Sequence, residues 1–505
     1  MIRKIAILSV ALVTALTAAA AVATLRGPDR AAAEDAKPAA KATATSSAQA
    51  QAKDAGYASV RIEGVPHVKQ LPDFCGEACV EMAMRKLGRE ATQKDVFNAS
   101  GLDPLQGRGC YTKELAAAMR SLGLKVGPVG QKVEAAKAGE QLEALWRGVH
   151  ADLVAGVASV LCMHYDDRPK TTEHFRLVVG YDAKTDEVLY HEPAESGGAY
   201  RRMKRATMMK LWPLKYEAVR WTVICLRCEP ASTDWTAPAK PSGTFTAADY
   251  AQHMMGLKEK IPKTGFATVL EPPFVVVGDE PAAKVRQRAA QTVRWAVVRL
   301  KKQFFAKEPD EILTIWLFKD KESYRKHTKE IFGDEPSTPF GYYSPRHKAL
   351  VMNIATGGGT LVHEIVHPFM RGNFEACPAW FNEGLASLYE QSAGRGNRIV
   401  GLTNWRLAGL QEAIRNDRLP TFKALTATSE HQFYNMDSGS NYAQARYLCY
   451  WLQEKGLLER YYREFTAAAA DDPTGYKTLQ KVLGESDMEA FQARWQAWVL
   501  TLAFP

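Results

Sequence analysis

The stretch GGGTLVHEIVHPFM, residues 357–370, contains two histidines four positions apart with a glutamate beside the first. In an α-helix, residues four apart lie on the same face one turn apart, so His363 and His367 can direct two imidazole nitrogens at one point. Glu364 is offset beside them, where its carboxylate can accept a proton without joining that point. The stretch therefore predicts a helix with one metal-binding face.

A third ligand is expected from the segment that follows, CPAWFNEGLASLYE, residues 377–390. Glu383 lies sixteen residues past His367, and a second helix that returns antiparallel would bring its carboxylate back to the histidines. Zinc accepts imidazole and carboxylate ligands, and a catalytic zinc site has three protein ligands and one position left for water. The alternative is a pair of histidines that only satisfy hydrogen bonds in a helical core, and the downstream glutamate counts against it.

Pro368, directly after the second histidine, conflicts with a regular helix. Proline removes one helical hydrogen bond and disfavours α geometry in the residue before it. We therefore expect the helix to end or kink at this point. Both imidazoles would stay on one side of it, but the metal site would be distorted.

HEIVH followed by PAWFNEGLA resembles the gluzincin metallopeptidases, in particular a largely uncharacterised bacterial branch in which a strand-helix-strand region precedes the motif helix. The resemblance covers roughly residues 265–500. It implies a mostly helical metallopeptidase domain in which His363, His367 and Glu383 hold Zn²⁺ and Glu364 is the general base.

Gluzincins also use a donor that stabilises the oxyanion of the tetrahedral intermediate. SGSNYAQARYLCYWL, residues 438–452, resembles the helix that supplies a tyrosine for this in related sequences, which makes Tyr442 the candidate. A tyrosine that only packs a helix interface is the alternative, and Tyr447 and Tyr450 are close by in the sequence. Asn382 matches the family's Asn-Glu pair and is expected to contact one of the metal-ligating side chains on the side away from the metal.

A second pattern of catalytic type is QLPDFCGEACVEM, residues 70–82. Cys75 starts a predicted helix, where unpaired N–H groups and the positive end of the helix dipole favour a thiolate. Gln70, five residues upstream, can direct its amide at an oxyanion. His174 begins the predicted strand HFRLVVGYD, and Glu192 lies in the next one, EVLYHEP, where a carboxylate can orient the imidazole. Cysteine, histidine and acid in this order on a helix and paired strands form a papain-like arrangement.

These stretches resemble the double-glycine, bacteriocin-leader-processing cysteine peptidases and their relatives, over about residues 60–228. The resemblance implies Cys75 as nucleophile, His174 as general base, Glu192 as the group that orients the imidazole and Gln70 as oxyanion donor. The family usually has aspartate where this chain has Glu192, and many relatives bind peptide without cutting it. No ATP-binding or export module accompanies the domain in this sequence, so leader processing is not implied.

The N-terminus is typical of an export signal. Arg3 and Lys4 precede an apolar stretch, Ile5–Leu25, which contains the small-x-small pattern Ala21-Val22-Ala23 that a signal peptidase requires. The apolar stretch is long for a signal peptide, so an uncleaved membrane anchor is the alternative. We expect a periplasmic or secreted protein, free or tethered by this segment.

Eight cysteines in an exported protein predict disulfides. With Cys75 free as nucleophile, we predict a Cys79–Cys110 disulfide, because Cys79 lies one helical turn along and Cys110 opens the next predicted helix. In the C-terminal domain, Cys377 is expected to pair with Cys449. The alternative for Cys75 is that it forms one half of a structural disulfide.

The 505 residues are enough for two or three domains. We predict a signal peptide or anchor, an Ala- and Lys-rich flexible spacer, a papain-like domain, a Pro- and Ser-rich linker and a gluzincin-like domain, at residues 1–25, 26–57, 58–228, 229–243 and 244–505. The net charge of +9 is only mildly basic, and no Lys/Arg run with interleaved aromatics is present. This pattern argues against nucleic acid as a partner.

The sequence therefore predicts an α+β protein, an exported peptidase that hydrolyses peptide bonds with zinc and carries a second, thiol peptidase-like domain. Its expected partner is a peptide or protein substrate. The rival hypothesis is a catalytically silent extracellular peptide-binding or scaffold protein built from peptidase folds. In a third possibility, the thiol domain holds or regulates substrate for an active metal domain.

Overall fold

The structure is a computed structural model that describes residues 56–239, 243–336, 338–436 and 439–504. The predicted signal peptide or anchor and almost all of the predicted spacer lie outside the described residues. Within the described ranges, no helix combines the length and the apolar character needed to cross a membrane.

The N-terminal part contains an antiparallel sheet of seven strands, in the order β3-β8-β4-β5-β6-β7, with β1 paired to β5. A two-stranded ribbon pairs β2 with β9. The elements are β1 Val60–Arg61, α1 Cys75–Lys86, α2 Gln93–Ala99, α3 Thr112–Ser121, β2 Leu124–Lys125, β3 Gly130–Glu134, α4 Ala138–Val154, β4 Ser159–His164, β5 Glu173–Asp182, β6 Glu187–His191, β7 Arg201–Lys204, α5 Arg205–Leu211, β8 Arg220–Arg227 and β9 Glu229–Pro230.

The predicted helix at Cys75 and the predicted helix after Cys110 are confirmed as α1 and α3, and the predicted strands HFRLVVGYD and EVLYHEP are confirmed as β5 and β6. Strand β5 is almost wholly buried, because α1 and α4 both pack against it. A strand covered on both faces has an unbroken apolar run, as in FRLVVGY. The helix α1 therefore lies directly on the strand that begins with His174.

The C-terminal part contains a five-stranded mixed sheet in the order β10-β11-β12-β14-β13, with parallel pairs in the middle and antiparallel strands at both edges. A small hairpin, β15 with β16, lies among the helices that follow. The elements are α6 Ala247–Lys258, β10 Ala267–Glu271, β11 Phe274–Gly278, α7 Ala282–Arg288, α8 Trp295–Gln303, β12 Leu313–Phe318, α9 Lys321–Phe332, β13 Gly341–Ser344, β14 Ala349–Asn353, α10 Gly359–Asn373, α11 Ala379–Leu388, β15 Ser392–Arg395, β16 Arg398–Gly401, α12 Arg406–Arg415, α13 Phe422–Thr426, α14 Glu430–Asn435, α15 Ser440–Glu454, α16 Leu458–Ala468, α17 Tyr476–Leu483 and α18 Met488–Thr501.

Helices α7 and α8 are joined by a π-helical stretch, Ala289–Arg294. Strands β13 and β14 pair as an antiparallel hairpin. The expectation that the motif helix ends at Pro368 is wrong, since α10 continues to Asn373. Burial of Ile365, Val366, Phe369 and Met370 on both sides of the proline accounts for the continuation, because tertiary packing outweighs one lost hydrogen bond.

Helix α6 packs against both parts of the molecule. Ala248 and Ala251 belong to the hydrophobic core of the N-terminal part, whereas Tyr250, Met254 and Leu257 belong to the core between α9 and one face of the C-terminal sheet. The other face of that sheet packs against the helices from α7 to α18. The two parts thus share one helix directly after the predicted linker.

Candidate functional site

Three side chains of α10 and α11 converge in the C-terminal part. One ligand-type atom of each of His363, His367 and Glu383 lies within 4.8 Å of the others. Nε2 of His363 is 3.2 Å from Oε2 of Glu383, and Nε2 of His367 is 3.9 Å from Oε1 of the same carboxylate. The structure therefore brings together the three residues that the sequence predicted as metal ligands.

The donor set and its environment fit a zinc ion. Oε2 of Glu383 is buried without a hydrogen-bond partner, although it lies 3.2 Å from His363, so the contact lacks hydrogen-bond geometry. Ligand atoms about 2 Å from one ion lie at similar separations from each other. Burial disfavours the charged Glu383 carboxylate, but His367 and His363 outweigh this effect and lower its pKa to about 2.

A second layer of side chains holds the two histidines. Nδ1 of His367 donates to Oδ1 of Asn382 at 3.0 Å, as expected for the residue before the third ligand. Nδ1 of His363 lies 3.3 Å from Oε1 of Glu390, an ion-pair distance without hydrogen-bond geometry. Contacts of this kind keep an imidazole in one orientation and make its other nitrogen a better ligand.

Arg406 and Asn404 fix the Glu390 carboxylate in turn. Arg406 donates through Nη2 to Oε1 at 2.7 Å and through Nε to Oε2 at 3.0 Å, and Asn404 donates to Oε2 at 3.0 Å. Burial disfavours the charge on Glu390, but Arg406 and His363 lower its pKa to about 2. Glu390 therefore stays ionised beside His363 at neutral pH.

Glu364 lies next to this cluster but is not part of it. Burial raises the pKa of its carboxyl group above the usual range, against the opposing effect of His363 and His367. In the described part of the chain, no hydrogen bond or ion pair holds the Glu364 side chain. A carboxylate with a raised pKa and free oxygens beside two histidines can accept a proton from a nearby water molecule.

Two tyrosines flank the cluster. Tyr434 donates its hydroxyl to Oε1 of Glu383 at 2.8 Å. Tyr442 is half-buried, with its ring 6.3 Å from that of Tyr434 and 5.2 Å from the guanidinium carbon of Arg406. Burial and the Glu383 carboxylate raise the pKa of Tyr442 far above 10, so its hydroxyl remains a donor.

The close contact of α11 with α15 places Tyr442 near the ligands. Gly384 follows the third ligand, and a Cβ at this position would lie 3.0 Å from the carbonyl oxygen of Ala445. Arg446, buried on α15, donates to the carbonyl oxygens of Ser387 and Leu402. The small residue and the buried arginine together fix α15 against the end of α11.

The N-terminal part brings the predicted thiol residues together around β5 and the start of α1. Cys75 is the first residue of α1 and contacts the backbone of Phe175, the residue after His174. Burial raises the pKa of its thiol to about 12, and the carboxylates of Glu77 and Asp73 act in the same direction. The raised pKa disfavours the expected thiolate, although the Cys75 side chain is only half-buried.

His174 and Glu192 are joined by a hydrogen bond of 2.5 Å from Nε2 to Oε1. Oε2 of Glu192 accepts from Nε of Arg176 at 2.7 Å, and Oε1 also accepts from the backbone of Ala194 at 3.2 Å. All three side chains are buried. Since Nε2 of His174 is engaged, Nδ1 is the nitrogen left to take a proton from a thiol.

Gln70 lies in the segment before α1. Its backbone N–H donates to the carbonyl oxygen of Pro193 at 2.8 Å, which ties this segment to the residue after Glu192. The side-chain oxygen of Gln70 is buried without a hydrogen-bond partner. The amide group is thus held near the His174–Glu192 pair.

The structure contains neither predicted disulfide, since all eight cysteines lie in its described part and are free thiols there. Cys79 points from α1 to the carbonyl oxygen of Phe175 at 3.6 Å, whereas Cys110 lies beside Glu77, which accepts from its backbone N–H. The two thiols therefore occupy different sides of α1. Cys377 and Cys449 are neighbours without a bond between them.

Sequence reasoning missed four residues that hold these sites: Arg176, Glu390, Arg406 and Tyr434. Arg176 lies two residues after His174 on β5, so the two side chains lie on the same face of the strand. This two-residue spacing could have identified Arg176 from the sequence. Glu390 lies seven residues after Glu383, in the turn directly after α11, so a shared helical face does not connect the two. Arg406 and Tyr434 come from distant segments, and no sequence spacing connects them to the site.

Comparison with known families agrees with the N-terminal geometry. Residues 62–219 match the model of the Peptidase_C39 like family, which spans less than half of the chain. The match supports a cysteine-peptidase-like N-terminal domain, and it implies a peptide or protein as the substrate. No curated protein matches the chain.

Proposed function

We propose that the C-terminal part is a zinc-dependent peptidase and that the protein is exported. The observation that carries the first proposal is the convergence of His363, His367 and Glu383, with one buried carboxylate oxygen left unpaired. Two imidazoles and a carboxylate are the ligand set of catalytic zinc sites. The export proposal rests on the basic and apolar N-terminal stretch of the sequence.

In this proposal His363, His367 and Glu383 would hold Zn²⁺. Glu390, Asn382 and Tyr434 would orient these three ligands. When bound, zinc supplies Lewis acidity that polarises a carbonyl group and acidifies water. Glu364 accepts the proton of the attacking water and passes it to the leaving amine. The Tyr442 hydroxyl donates to the oxyanion that develops on the scissile carbonyl.

For the N-terminal part we propose thiol-dependent peptide hydrolysis. His174 takes the Cys75 proton at Nδ1 while the Glu192 carboxylate stabilises the imidazolium that forms. Arg176 fixes the second oxygen of Glu192, and the Gln70 amide faces the oxyanion. The attack of the thiolate on the carbonyl carbon forms a thioester as the amine leaves, and water then hydrolyses it.

The burial of Cys75 favours a second candidate function for this part, the binding of peptide without cleavage. A thiol whose pKa lies near 12 is protonated at neutral pH unless His174 accepts its proton. If that transfer does not occur, the N-terminal part would hold a peptide for the C-terminal site without cutting it. Binding of an uncleaved peptide to the full chain, unchanged in Cys75→Ala, would support this function.

The test is hydrolysis of a mixed peptide library by the purified full chain, with a metal chelator and a thiol alkylator added separately. Chelator-sensitive cleavage supports the zinc site, and alkylator-sensitive cleavage supports the thiol site. Zinc content gives an independent readout: close to one ion per chain in the wild type, lost in His363→Ala and retained in His431→Ala, an exposed histidine elsewhere. A folded wild-type protein without affinity for zinc would overturn the proposal for the C-terminal part.

A further inference from the structure

Helix α6 follows the predicted linker, yet its first turns lie on the N-terminal part. Its capping residues, Thr246 and Asp249, form a reciprocal pair at the helix start. The backbone N–H of Ala248 donates to Oδ1 of Asn98 at 2.9 Å, and Asp249 pairs with Lys94 at 2.7 Å. The N-terminus of α6 is therefore fixed to α2 by specific polar contacts as well as by packing.

The next turns of α6 contact two segments that flank the start of α1. Gln252 donates through Nε2 to the carbonyl oxygen of Pro72 at 3.0 Å. Lys258 donates to the carbonyl oxygen of Gln106 at 3.3 Å. Gly107 has a φ of +55°, and a Cβ there would lie 3.3 Å from the backbone of Met254. Both segments thus rest directly against this helix.

The same two segments are joined to each other around the nucleophile candidate. The backbone N–H of Gly109 donates to Oδ2 of Asp73 at 3.0 Å, and that of Cys110 donates to Oε1 of Glu77 at 2.7 Å. Asp73 and Glu77 lie two residues on either side of Cys75. The backbone on either side of Cys75 is therefore joined to both segments, one held by Gln252 and the other contacted by Lys258 and Met254.

The opposite face of α6 is anchored in the C-terminal part. Tyr250, Met254 and Leu257 are buried against the sheet, and Leu105 of the N-terminal part packs into the same core. Nε2 of His253 lies 2.8 Å from the Thr314 hydroxyl on β12. Helix α6 is therefore held by contacts with both parts of the molecule.

We propose that α6 is a positioning element of the thiol site, in which Gln252 holds the Pro72 carbonyl and thereby fixes the segment that leads into Cys75. The consequence is that the N-terminal site takes its final form only with a helix contributed from beyond the linker. This inference rests on the proposed role of Cys75, but its test measures thiol access rather than peptide cleavage.

The experiment measures the rate of Cys75 alkylation by iodoacetamide in the full chain between pH 6 and 10, with modified residues mapped by mass spectrometry. In Gln252→Met, which removes the donor at similar size, we expect the rate to rise about fivefold across this pH range, because a looser segment exposes the thiol. Gly107→Ala displaces the second segment and should act in the same direction. Alkylation of half-buried Cys377 serves as internal reference.

Two controls separate positioning from general loosening. Gln287→Met makes the same substitution at an exposed glutamine on α7, and Lys94→Ala breaks another contact of α6 without touching either segment. Both should keep the wild-type alkylation rate within twofold at every pH. The proposal is overturned if Gln252→Met and Gly107→Ala remain folded and alkylate Cys75 at the wild-type rate or more slowly, or if Lys94→Ala accelerates it equally. Absence of peptidase activity in the wild type would count against the proposed function and leave these rates interpretable.

Discussion

Both candidate sites contain a histidine in contact with a buried glutamate, but the two carboxylates differ in what they have left to bind. In the N-terminal site both oxygens of Glu192 are engaged, by His174, Arg176 and a backbone N–H. In the C-terminal site Tyr434 occupies one oxygen of Glu383, and the other has no hydrogen-bond partner. A carboxylate whose two oxygens both accept hydrogen bonds can only orient its histidine. A carboxylate with one oxygen left without a hydrogen bond can bind a cation together with the histidine.

The charged residues around the two histidine–glutamate pairs support the same distinction between the sites. Arg176 balances Glu192 within the N-terminal site, so no further cation is needed there. In the C-terminal site Arg406 pairs with Glu390, and among the described residues no arginine or lysine forms an ion pair with Glu364 or Glu383, which lie beside two histidines. This difference is the reason why we propose base catalysis for one site and metal binding for the other.

The largest expected effect separates the two chemistries at Glu364. Glu364→Gln keeps the size of the side chain but removes the base, so we expect chelator-sensitive peptide hydrolysis to fall about 10³-fold. Zinc content and alkylator-sensitive hydrolysis should not change. Glu375→Gln, at an exposed glutamate between α10 and α11, is the matched control. Retained hydrolysis in Glu364→Gln would remove this residue from the mechanism.

The corresponding change in the N-terminal site is Glu192→Gln. An amide can still accept from His174 but cannot stabilise the imidazolium, and it leaves Arg176 buried without its counter-ion. We expect thiol-dependent hydrolysis to fall several hundred-fold and Tm to drop by several degrees. Glu195→Gln, at a partly exposed neighbour, should change neither. If the thiol-dependent rate persists in Glu192→Gln, the carboxylate serves only to hold Arg176.

The two tyrosines test the division of labour in the metal site. Tyr442→Phe removes the free donor, so we expect kcat to fall about 10²-fold with zinc affinity unchanged. Tyr434→Phe frees the second oxygen of Glu383, so zinc affinity should fall about tenfold. Competition with a chromogenic chelator and steady-state kinetics on the same preparations measure both. The reverse pattern would exchange the roles of Tyr434 and Tyr442.

Much of this arrangement follows from local sequence. The four-residue spacing predicts that His363 and His367 lie on one face of α10. Two consecutive helices joined by a short loop pack antiparallel, so α11 brings Glu383 back to the two histidines. The strands β4, β5, β6 and β8 can also be recognised from their apolar runs in the sequence. These features depend on contacts between residues that are near each other in the chain.

The errors came from features that depend on the tertiary environment. The predicted thiolate at Cys75 ignored burial, which α1 acquires only by packing on β5. The Cys79–Cys110 pair was inferred from helix starts, although α1 turns Cys79 to the sheet and away from Cys110. Arg406 reaches Glu390 from a distant segment, and the sharing of α6 by both parts needs the packed cores of each.

The smallest expected effect concerns how the two parts respond to pH. Burial raises the pKa of Glu77 to about 7, and Asp73 adds to the shift. The second carboxylate oxygen of Glu77 is buried without a hydrogen-bond partner. An acid whose pKa is raised on folding binds more protons in the native state, so its contribution to stability is lost as pH rises through the folded pKa. In the C-terminal part the pKa of Glu390 is lowered to about 2, so its contribution is present above the unfolded value and lost only in acid.

Raising the pH from 6 to 8 should therefore weaken the N-terminal core by about 1 kcal/mol through Glu77 alone. Amide hydrogen exchange in α1 measures this locally, without assuming that the whole chain unfolds in one step. After correction for intrinsic exchange, α1 protection should decline between these pH values in the wild type and in Glu90→Gln, an exposed control, and stay flat in Glu77→Gln. An equal decline in Glu77→Gln would assign the pH response to another group, and a decline in α10 as well would erase the contrast between the two sites.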